Sequence, residues 1–207
     1  QHQLSFVNHI DWSADSKKLA SNCGAHELLY WKLWEENGDG SGYKFRPRQE
    51  KSSSSMRDEE WATQTCIYGW PVRGLWPEGA DGTDINGCCR SNLGKRQLVA
   101  TSDDFGKVKL FRYPCIVPRA GHRPYGGHSS HVTNVSFVYN DRWLISTGGD
   151  DRAVFVKRVE QSGDASGKIK AGDRVVAVSA SFGDGAARAA ARLIARWAAI
   201  GTRQNGQ

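Results

Sequence analysis

Histidine, cysteine and acidic side chains are the groups in this chain that are able to bind a metal or carry acid–base catalysis. His128 and His131 lie three positions apart, with His122 and Cys115 a short distance upstream. Zinc takes imidazole and thiolate ligands, but its sites use closely paired cysteines or histidines at set intervals. These four residues follow no such interval, so the sequence predicts neither a metal site nor a cofactor.

The cysteines form no recognisable framework either. Their number is odd, none form a C-x-x-C pair, and two of them are adjacent; they are Cys23, Cys66, Cys88, Cys89 and Cys115. A disulfide-stabilised secreted domain has an even count at regular spacing. The pattern favours buried, reduced thiols in a cytosolic protein.

Paired carboxylates are the remaining candidates for catalysis. Asp103 and Asp104 are neighbours, but they lie in the turn of a hairpin that recurs along the chain. The sequence contains no nucleophile elbow, no phosphate-binding loop and no His-Glu metal motif. It therefore predicts that the protein is not an enzyme.

The elements that carry these residues are repeated. Three stretches share an apolar strand, a turn rich in Ser, Gly, Asn or Asp, and a second strand; they read LASNCGAHELLYW (19–31), LVATSDDFGKVKLF (98–111) and LISTGGDDRAVFV (144–156). Each follows an upstream strand, at 6–12, 85–90 and 132–138. Alternating strands bounded by such turns are hairpins. A repeat of about 40 to 45 residues built from hairpins is typical of a WD40 β-propeller blade.

The predicted fold is all-β: a partial β-propeller of WD40 type, with about three blades of antiparallel four-stranded sheets and a C-terminal helix. Its parts are a first blade at 1–34, a flexible insertion at 35–60, a second blade at 61–115, a third blade at 116–159 and a divergent basic tail at 160–207. Within the second blade, the aromatic residues of 61–76 predict an outer strand and a loop. Packing between blades is favoured there over stacking with nucleic-acid bases.

Charge is distributed unevenly along the chain. The net charge is +6, but residues 1–156 hold 19 Lys and Arg against 18 Asp and Glu, whereas residues 157–207 hold 9 against 4. A nearly neutral body predicts no nucleic-acid partner. No run approaches the roughly 20 apolar residues that cross a bilayer, so no membrane span is predicted.

The tail contains a strand-like segment at 168–178 and a predicted helix at 185–200. On that helix Ala187, Ala190, Ile194 and Trp197 share one face, and Arg188, Arg192 and Arg196 line another. A basic amphipathic helix suits a calmodulin-type target, a membrane surface or an acidic partner. Such a helix is also able to cover an open edge of the propeller. A further alternative is that the tail is not native, since the repeat pattern stops abruptly where the tail begins.

Specific motifs extend across the repeats. They are WPEGADGTDINGCCRSN at 76–92, LVATSDDFGKVKLFRYPC at 98–115 and YGGHSSHVTNVSFVYNDRWLISTGGDD at 125–151. In order and spacing, residues 4–156 resemble the echinoderm microtubule-associated protein-like family. The resemblance implies the last blades of the second of two tandem atypical propellers. It also implies binding to microtubules and soluble tubulin, and a place in the cytoplasm on microtubules and the spindle.

WD40-type blades often share a buried network of hydrogen bonds among a His, an Asp, a Ser or Thr and a Trp. In the third repeat His128, Thr147 and Asp151 are predicted to fill the first three positions. Lys157 occupies the fourth, where Trp31 and Phe111 stand in the earlier repeats. The network is structural, and the sequence assigns no tubulin-contacting residue.

The predicted function is a non-enzymatic scaffold of the cytoskeleton that binds microtubules or tubulin through propeller surfaces. The alternative is a general WD40 interaction module with a partner that is not tubulin. Three blades are too few to close a ring, so we expect a piece of a longer chain with exposed apolar faces and poor solubility.

Overall fold

Alternating apolar and polar residues, broken by short polar turns, make each repeat fold as antiparallel strands. The computed structural model describes residues 3–92 and 97–159, together with the backbone of a strand at 175–181. These residues form three four-stranded antiparallel sheets, in which neighbouring strands follow one another along the chain. The predicted all-β architecture is confirmed, and the predicted helix at 185–200 lies outside the described residues.

The strands of the three sheets have the following bounds. The first sheet contains β1 (Val7–Trp12), β2 (Lys18–Cys23), β3 (Leu28–Glu36) and β4 (Tyr43–Glu50). The second contains β5 (Ile85–Arg90), β6 (Leu98–Asp103), β7 (Val108–Arg112) and β8 (His122–Tyr125). The third contains β9 (Val132–Phe137), β10 (Trp143–Gly148), β11 (Ala153–Val159) and β12 (Val175–Ser181). Two 3-10 helices, Ser53–Met56 and Trp70–Leu75, lie between the first and second sheets.

The first strand of each sheet carries the same irregularity. Pairing with the second strand shifts between Val7 and His9 in β1, between Ile85 and Gly87 in β5, and opposite Gly148 in β9. A β-bulge bends its strand and increases the local twist. The sequence repeat is therefore also a repeat of backbone geometry.

The first sheet departs from its predicted boundary. Strand β4 lies inside residues 35–60, which we predicted to be a flexible insertion, and it pairs with β3 through Trp34–Phe45 and Glu35–Lys44. The Gly- and Ser-rich segment is only the turn between these strands. Three of the four serines at 52–55 form the start of the first 3-10 helix, and Ser52 precedes it. Met56, at the end of this helix, is buried. Apolar and charged residues alternate within residues 43–50, which indicates a strand, but the polar composition of the surrounding segment led us to predict an insertion.

The second and third sheets also differ from their predicted limits. Strand β8 belongs to the second sheet, although it lies beyond the predicted boundary at 115. Residues 61–76 contain a 3-10 helix and one isolated bridge, Ser13–Trp61, instead of the predicted outer strand. The outer strand of the third sheet, β12, comes from the tail and pairs with β11 from Ala153–Ser181 to Val159–Val175.

The second and third sheets pack on a common apolar core, formed by Leu98, Ala100, Val108, Leu110, Val132, Val135, Phe137, Leu144 and Val159. Gly106 allows the β6–β7 turn to approach the loop before β9. Its φ is +70°, and a Cβ there would lie 2.7 Å from the carbonyl oxygen of His128. Within the described residues, no helix is long and apolar enough to cross a membrane.

Candidate functional site

A buried polar network lies where the third sheet meets the loop before β9. His128 Nδ1 lies 2.8 Å from Asp151 Oδ2, and His128 Nε2 lies 2.9 Å from Ser146 Oγ. Asp151 also accepts hydrogen bonds from the amides of Ser129 and Ala153. A Cβ at position 148 would overlap both Asp151 and His128, so Gly148 is required for their approach.

The partners of His128 determine its protonation. A carboxylate only accepts hydrogen bonds, so Nδ1 donates to Asp151, and a neutral ring then accepts the Ser146 hydroxyl at Nε2. Burial lowers the pKa of His128, although Asp151 opposes this effect. Burial by itself would raise the pKa of Asp151, but hydrogen bonds from Ala153 N and His128 lower it. The network therefore consists of a neutral histidine and a charged carboxylate.

The structure corrects one predicted member of this network. Thr147 does not contact His128; its hydroxyl lies 2.8 Å from that of Thr133 on the exposed face of the sheet. Successive residues of a strand point to opposite faces, so a shift of one position exchanges the buried hydroxyl for a half-buried one on the other face. Ser146, which is 1 % exposed, takes the place that we assigned to Thr147.

Lys157 occupies the fourth position of the network, as its pairing shows. It lies opposite Leu144 in the third sheet, as Trp31 lies opposite Leu19 in the first. Trp31 Nε1 donates to Ser21 Oγ at 3.0 Å, whereas Lys157 Nζ donates to the carbonyl oxygen of Gly126 at 3.0 Å. Lys157 is 1 % exposed, and burial lowers its pKa to about 8.

The second sheet, in its described part, carries no equivalent network. Phe111 pairs with Val99 rather than with Leu98, so it stands one position away from the place of Trp31. It packs in a buried apolar cluster, with its ring centroid 4.9 Å from that of His122. The position equivalent to Ser146 is Ala100, which has no hydroxyl.

Two buried aspartates join successive sheets. Asp11 of β1 accepts hydrogen bonds from Thr63 Oγ1, from both the amide and the hydroxyl of Thr65, and from the amide of Cys66, at 2.6 to 3.0 Å. Asp141 accepts two from Asn92, at 2.8 and 2.9 Å. Asp11 therefore holds the connecting segment against the first sheet, and Asp141 holds the β5–β6 loop of the second sheet against the β9–β10 turn of the third.

A groove of about 710 Å³, named the interblade groove here, lies between the segment that connects the first and second sheets and the edge of the second sheet. Its lining is aromatic, apolar and charged of both signs, and consists of Arg57, Asp58, Glu59, Glu60, Trp61, Trp70, Pro71, Arg73, Arg90, Tyr113, Pro114 and Ile116. In this groove, charged groups converge beside aromatic rings. The sequence-based prediction assigned part of this segment to packing and did not identify the groove.

The Asp103–Asp104 pair is engaged in local hydrogen bonds, and the Cys66 and Cys88 thiols are buried. Asp103 accepts the amides of Phe105 and Lys107 within the β6–β7 turn, and Asp104 accepts the side-chain amide of Asn86. Burial raises the pKa of the Cys66 and Cys88 thiols, which disfavours reactive thiolates. Within the described ranges, no group of three or more potential ligands is arranged to hold a metal ion.

Comparison with known proteins agrees with this geometry. Residues 1–159 match the family described as the echinoderm microtubule-associated protein second beta-propeller. The chain belongs to this family. The predicted resemblance and the WD40-type propeller fold are therefore confirmed, and the three sheets are blades of the second propeller of echinoderm microtubule-associated proteins.

Individual members of the family are closely similar. Over 155 residues the chain is 50 % identical to echinoderm microtubule-associated protein-like 1 from Homo sapiens and 48 % identical to protein-like 2 from Mus musculus. These alignments cover 75 % of this chain, 17 % of the human protein and 22 % of the mouse protein. The chain thus spans about a fifth of the length of the curated relatives that it matches.

A solved structure supports the fold independently. The chain is similar to the β-propeller domain of Myceliophteria thermophila Cps50 (Swd1), with a TM-score of 0.50 and 12 % identity. The match covers 83 % of this chain and 57 % of that domain. At this identity the likeness concerns the propeller fold alone.

Proposed function

We propose that the protein is a non-enzymatic scaffold that binds microtubules or tubulin through its propeller surfaces. The observation that carries this proposal is the family match over residues 1–159, with 48 to 50 % identity to microtubule-associated proteins. Its place would then be the cytoplasm, on microtubules and the spindle. Tubulin has an acidic surface, so local groups of exposed cations are the contacts to test first.

The arrangement of polar groups supports a binding role rather than catalysis. The buried carboxylates of Asp11, Asp141 and Asp151 hold connections and turns through their hydrogen bonds. The His128 network is enclosed, since the histidine is 8 % exposed and its two ring nitrogens are already engaged. Such groups preserve the shape of a surface and leave the exposed rims to contact a partner.

Microtubule co-sedimentation tests the proposal directly. The full chain and a version that ends at Val159 are incubated with assembled microtubules, and the pelleted fraction is measured as the microtubule concentration rises. Both versions are expected to pellet in a saturable manner, because the matched family region ends at residue 159. Circular dichroism is used to check that both are folded.

Two results would contradict the proposal. If neither folded version pellets, the blades do not bind microtubules. If only the full chain pellets, and moderate salt abolishes the effect, the basic tail attracts the acidic lattice without a specific surface. In either case the general interaction module with another partner becomes the better account, and the interblade groove is the feature that favours it.

A further inference from the structure

The aromatic residues of 61–76 do not all have the same surroundings. Trp61 stacks on Tyr30, with ring centroids 5.7 Å apart, and Trp76 stacks on Tyr68 at 5.3 Å. These pairs pack within the protein, as we predicted for the stretch. Trp70 combines two features, because it is half-buried and also lines the interblade groove, whereas Trp61 is buried and Trp76 lies outside the groove.

Two arginines lie over the Trp70 ring. The guanidinium carbon of Arg57 lies 4.8 Å from the ring centroid, and that of Arg73 lies 5.8 Å from it. The Trp70 indole nitrogen donates to the carbonyl oxygen of Ser53, which fixes the ring. Stacking on an aromatic face orients a guanidinium while leaving its in-plane donors available.

These donors have no acidic partner in the part of the chain that the structure describes. Among residues 3–92 and 97–159, no carboxylate lies within 4.0 Å of Arg57 or Arg73. The third arginine of the groove is different, since Arg90 donates to the carbonyl oxygens of Trp61 and Ala62 and lies over the Tyr113 ring. Two oriented guanidiniums are thus available at the groove.

The acidic residues of the groove limit what these guanidiniums can bind. Glu59 pairs with Lys18, whereas Asp58 and Glu60 are exposed and have no cation within 4.0 Å among the described residues. A polyanion such as RNA would bring phosphates against these two carboxylates. A ligand with a localised negative charge avoids this repulsion.

Apolar surface lies beside the charged groups. Ile116 is 52 % exposed, and Pro71, Pro114 and Tyr113 continue the wall of the groove. Sites that bind a side chain combine such a wall with a few oriented polar groups. The groove therefore offers an apolar surface next to two donors for a carboxylate.

We propose that the interblade groove binds a peptide segment of a partner protein in which a glutamate or aspartate lies beside an apolar side chain. The carboxylate accepts hydrogen bonds from Arg57 and Arg73, and the apolar side chain packs against Trp70 and Ile116. Within the proposed function, which this inference deepens, the segment belongs to the acidic surface of tubulin.

Fluorescence anisotropy with the full chain tests the groove. The probe is a fluorescein-labelled peptide of alternating glutamate and leucine, and the matched probe carries glutamine in place of glutamate. The Arg57→Glu/Arg73→Glu variant is expected to bind the glutamate peptide about tenfold more weakly than the unmodified chain, because two charge-assisted contacts become repulsive. The Arg112→Glu/Arg142→Glu variant, which changes exposed arginines outside the groove by the same charge, is expected to bind normally.

Three results would overturn the inference: equal binding of the glutamine peptide, equal losses in both variants, or stronger binding of polyuridylate RNA through the same two arginines. Circular dichroism checks each variant for folding. If the double variant does not fold, Arg73→Gln and Trp70→Leu test the same groove, and each is expected to weaken binding of the glutamate peptide. Unchanged binding in both would also overturn the inference.

Microtubule pelleting separates this inference from the proposed function. If the unmodified chain pellets and the Arg57→Glu/Arg73→Glu variant pellets equally, the groove is not the contact, although the proposed function stands. If the unmodified chain does not pellet but binds the glutamate peptide through Arg57 and Arg73, the groove recognises acidic peptides and the microtubule proposal fails.

Discussion

Burial of the Lys157 ammonium makes the stability of the third blade depend on pH. This ammonium lies in the position that Trp31 occupies in the first blade, and it has one described acceptor, Gly126 O. Burial lowers its pKa to about 8, and the charge of Lys107 acts in the same direction. An unfolded lysine titrates at about 10.4, so the unfolded chain binds more protons than the folded chain between about pH 8 and pH 10.

Replacing this lysine tests that account. The free energy of unfolding of the unmodified chain is expected to rise from about pH 8 to about pH 10 and then to level off. Lys157→Met removes the rise and increases the free energy of unfolding at pH 7 by about 2 kcal/mol, because no buried ammonium remains. Melting temperatures followed by circular dichroism across this pH range provide the measurement. A variant that melts lower than the unmodified chain at pH 7 would refute the account.

Neighbouring hydroxyls in β10 test the corrected network. Ser146→Ala is expected to lower the free energy of unfolding by about 1 to 2 kcal/mol, because His128 Nε2 loses its buried hydrogen-bond donor. Thr147→Val is the matched control and is expected to cost less than about 0.5 kcal/mol, because its half-buried hydroxyl lies beside that of the exposed Thr133 rather than in the network. Urea denaturation of the two variants distinguishes them. A larger loss of unfolding free energy for Thr147→Val than for Ser146→Ala would show that Thr147, and not Ser146, belongs to the network.

At the scale of elements, the connections between blades carry much of the organisation. Asp11 holds residues 63–66 against β1, and Asn86 reaches from the second blade to Val132 O of the third, at 2.9 Å. The two contacts involve charged or amide groups at the junctions, where an unpaired polar group is costly. Specific hydrogen bonds, as well as apolar packing, therefore stabilise the position of each blade against its neighbour.

Substitution of Asp11 tests this role of the connections. Asp11→Asn keeps the shape of the side chain but places an amide NH2 against backbone amide donors. We expect the free energy of unfolding to fall by about 2 to 3 kcal/mol, since several hydrogen bonds to a charged acceptor are weakened. Asp39→Asn, in the exposed β3–β4 turn, is the control and is expected to have little effect. Equal urea midpoints for the two variants would contradict the role of Asp11.

The sequence predicted elements that alternate strongly and missed those whose position depends on tertiary pairing. The first strands of the three blades follow from their patterns, and β5 agrees with its predicted bounds. Strand β4 was missed because Gly- and Ser-rich turns surround it, although it pairs along β3. Ser146 and Thr147 are neighbouring hydroxyl residues on β10, so the sequence does not show which one faces His128. The pairing register of β10 in the sheet decides this. The groove could not be predicted from the sequence, because its wall forms only when residues 57–73 fold against Arg90 and residues 113–116.

At the scale of the whole molecule, the first blade presents an uncovered apolar face. Side chains of β1 and the residue before it are 48 to 74 % exposed, namely Phe6, Val7, Ile10 and Trp12. In the second and third blades the corresponding strands contribute buried residues to apolar clusters, β5 against the connecting segment and β9 against the second sheet. Contiguous exposed apolar surface favours association with another apolar surface.

Self-association of the full chain is therefore expected as its concentration rises. Light scattering coupled to gel filtration is expected to show a mass above that of one chain. Val7→Thr/Ile10→Thr reduces that mass, because it removes apolar surface from β1 but keeps β-branched residues. Phe105→Ser, at a turn where Phe105 is 65 % exposed, serves as the control. A monomer at every concentration, with a sharp melting transition, would contradict this prediction.

Co-sedimentation of the version that ends at Val159 shows whether the blades themselves bind microtubules. That version retains the matched family region and lacks half of the net positive charge, since residues 160–207 hold +3 of the total of +6. Saturable pelleting is expected, with an affinity close to that of the full chain. Absence of pelleting by the folded, shortened chain would mean that the blades do not bind microtubules.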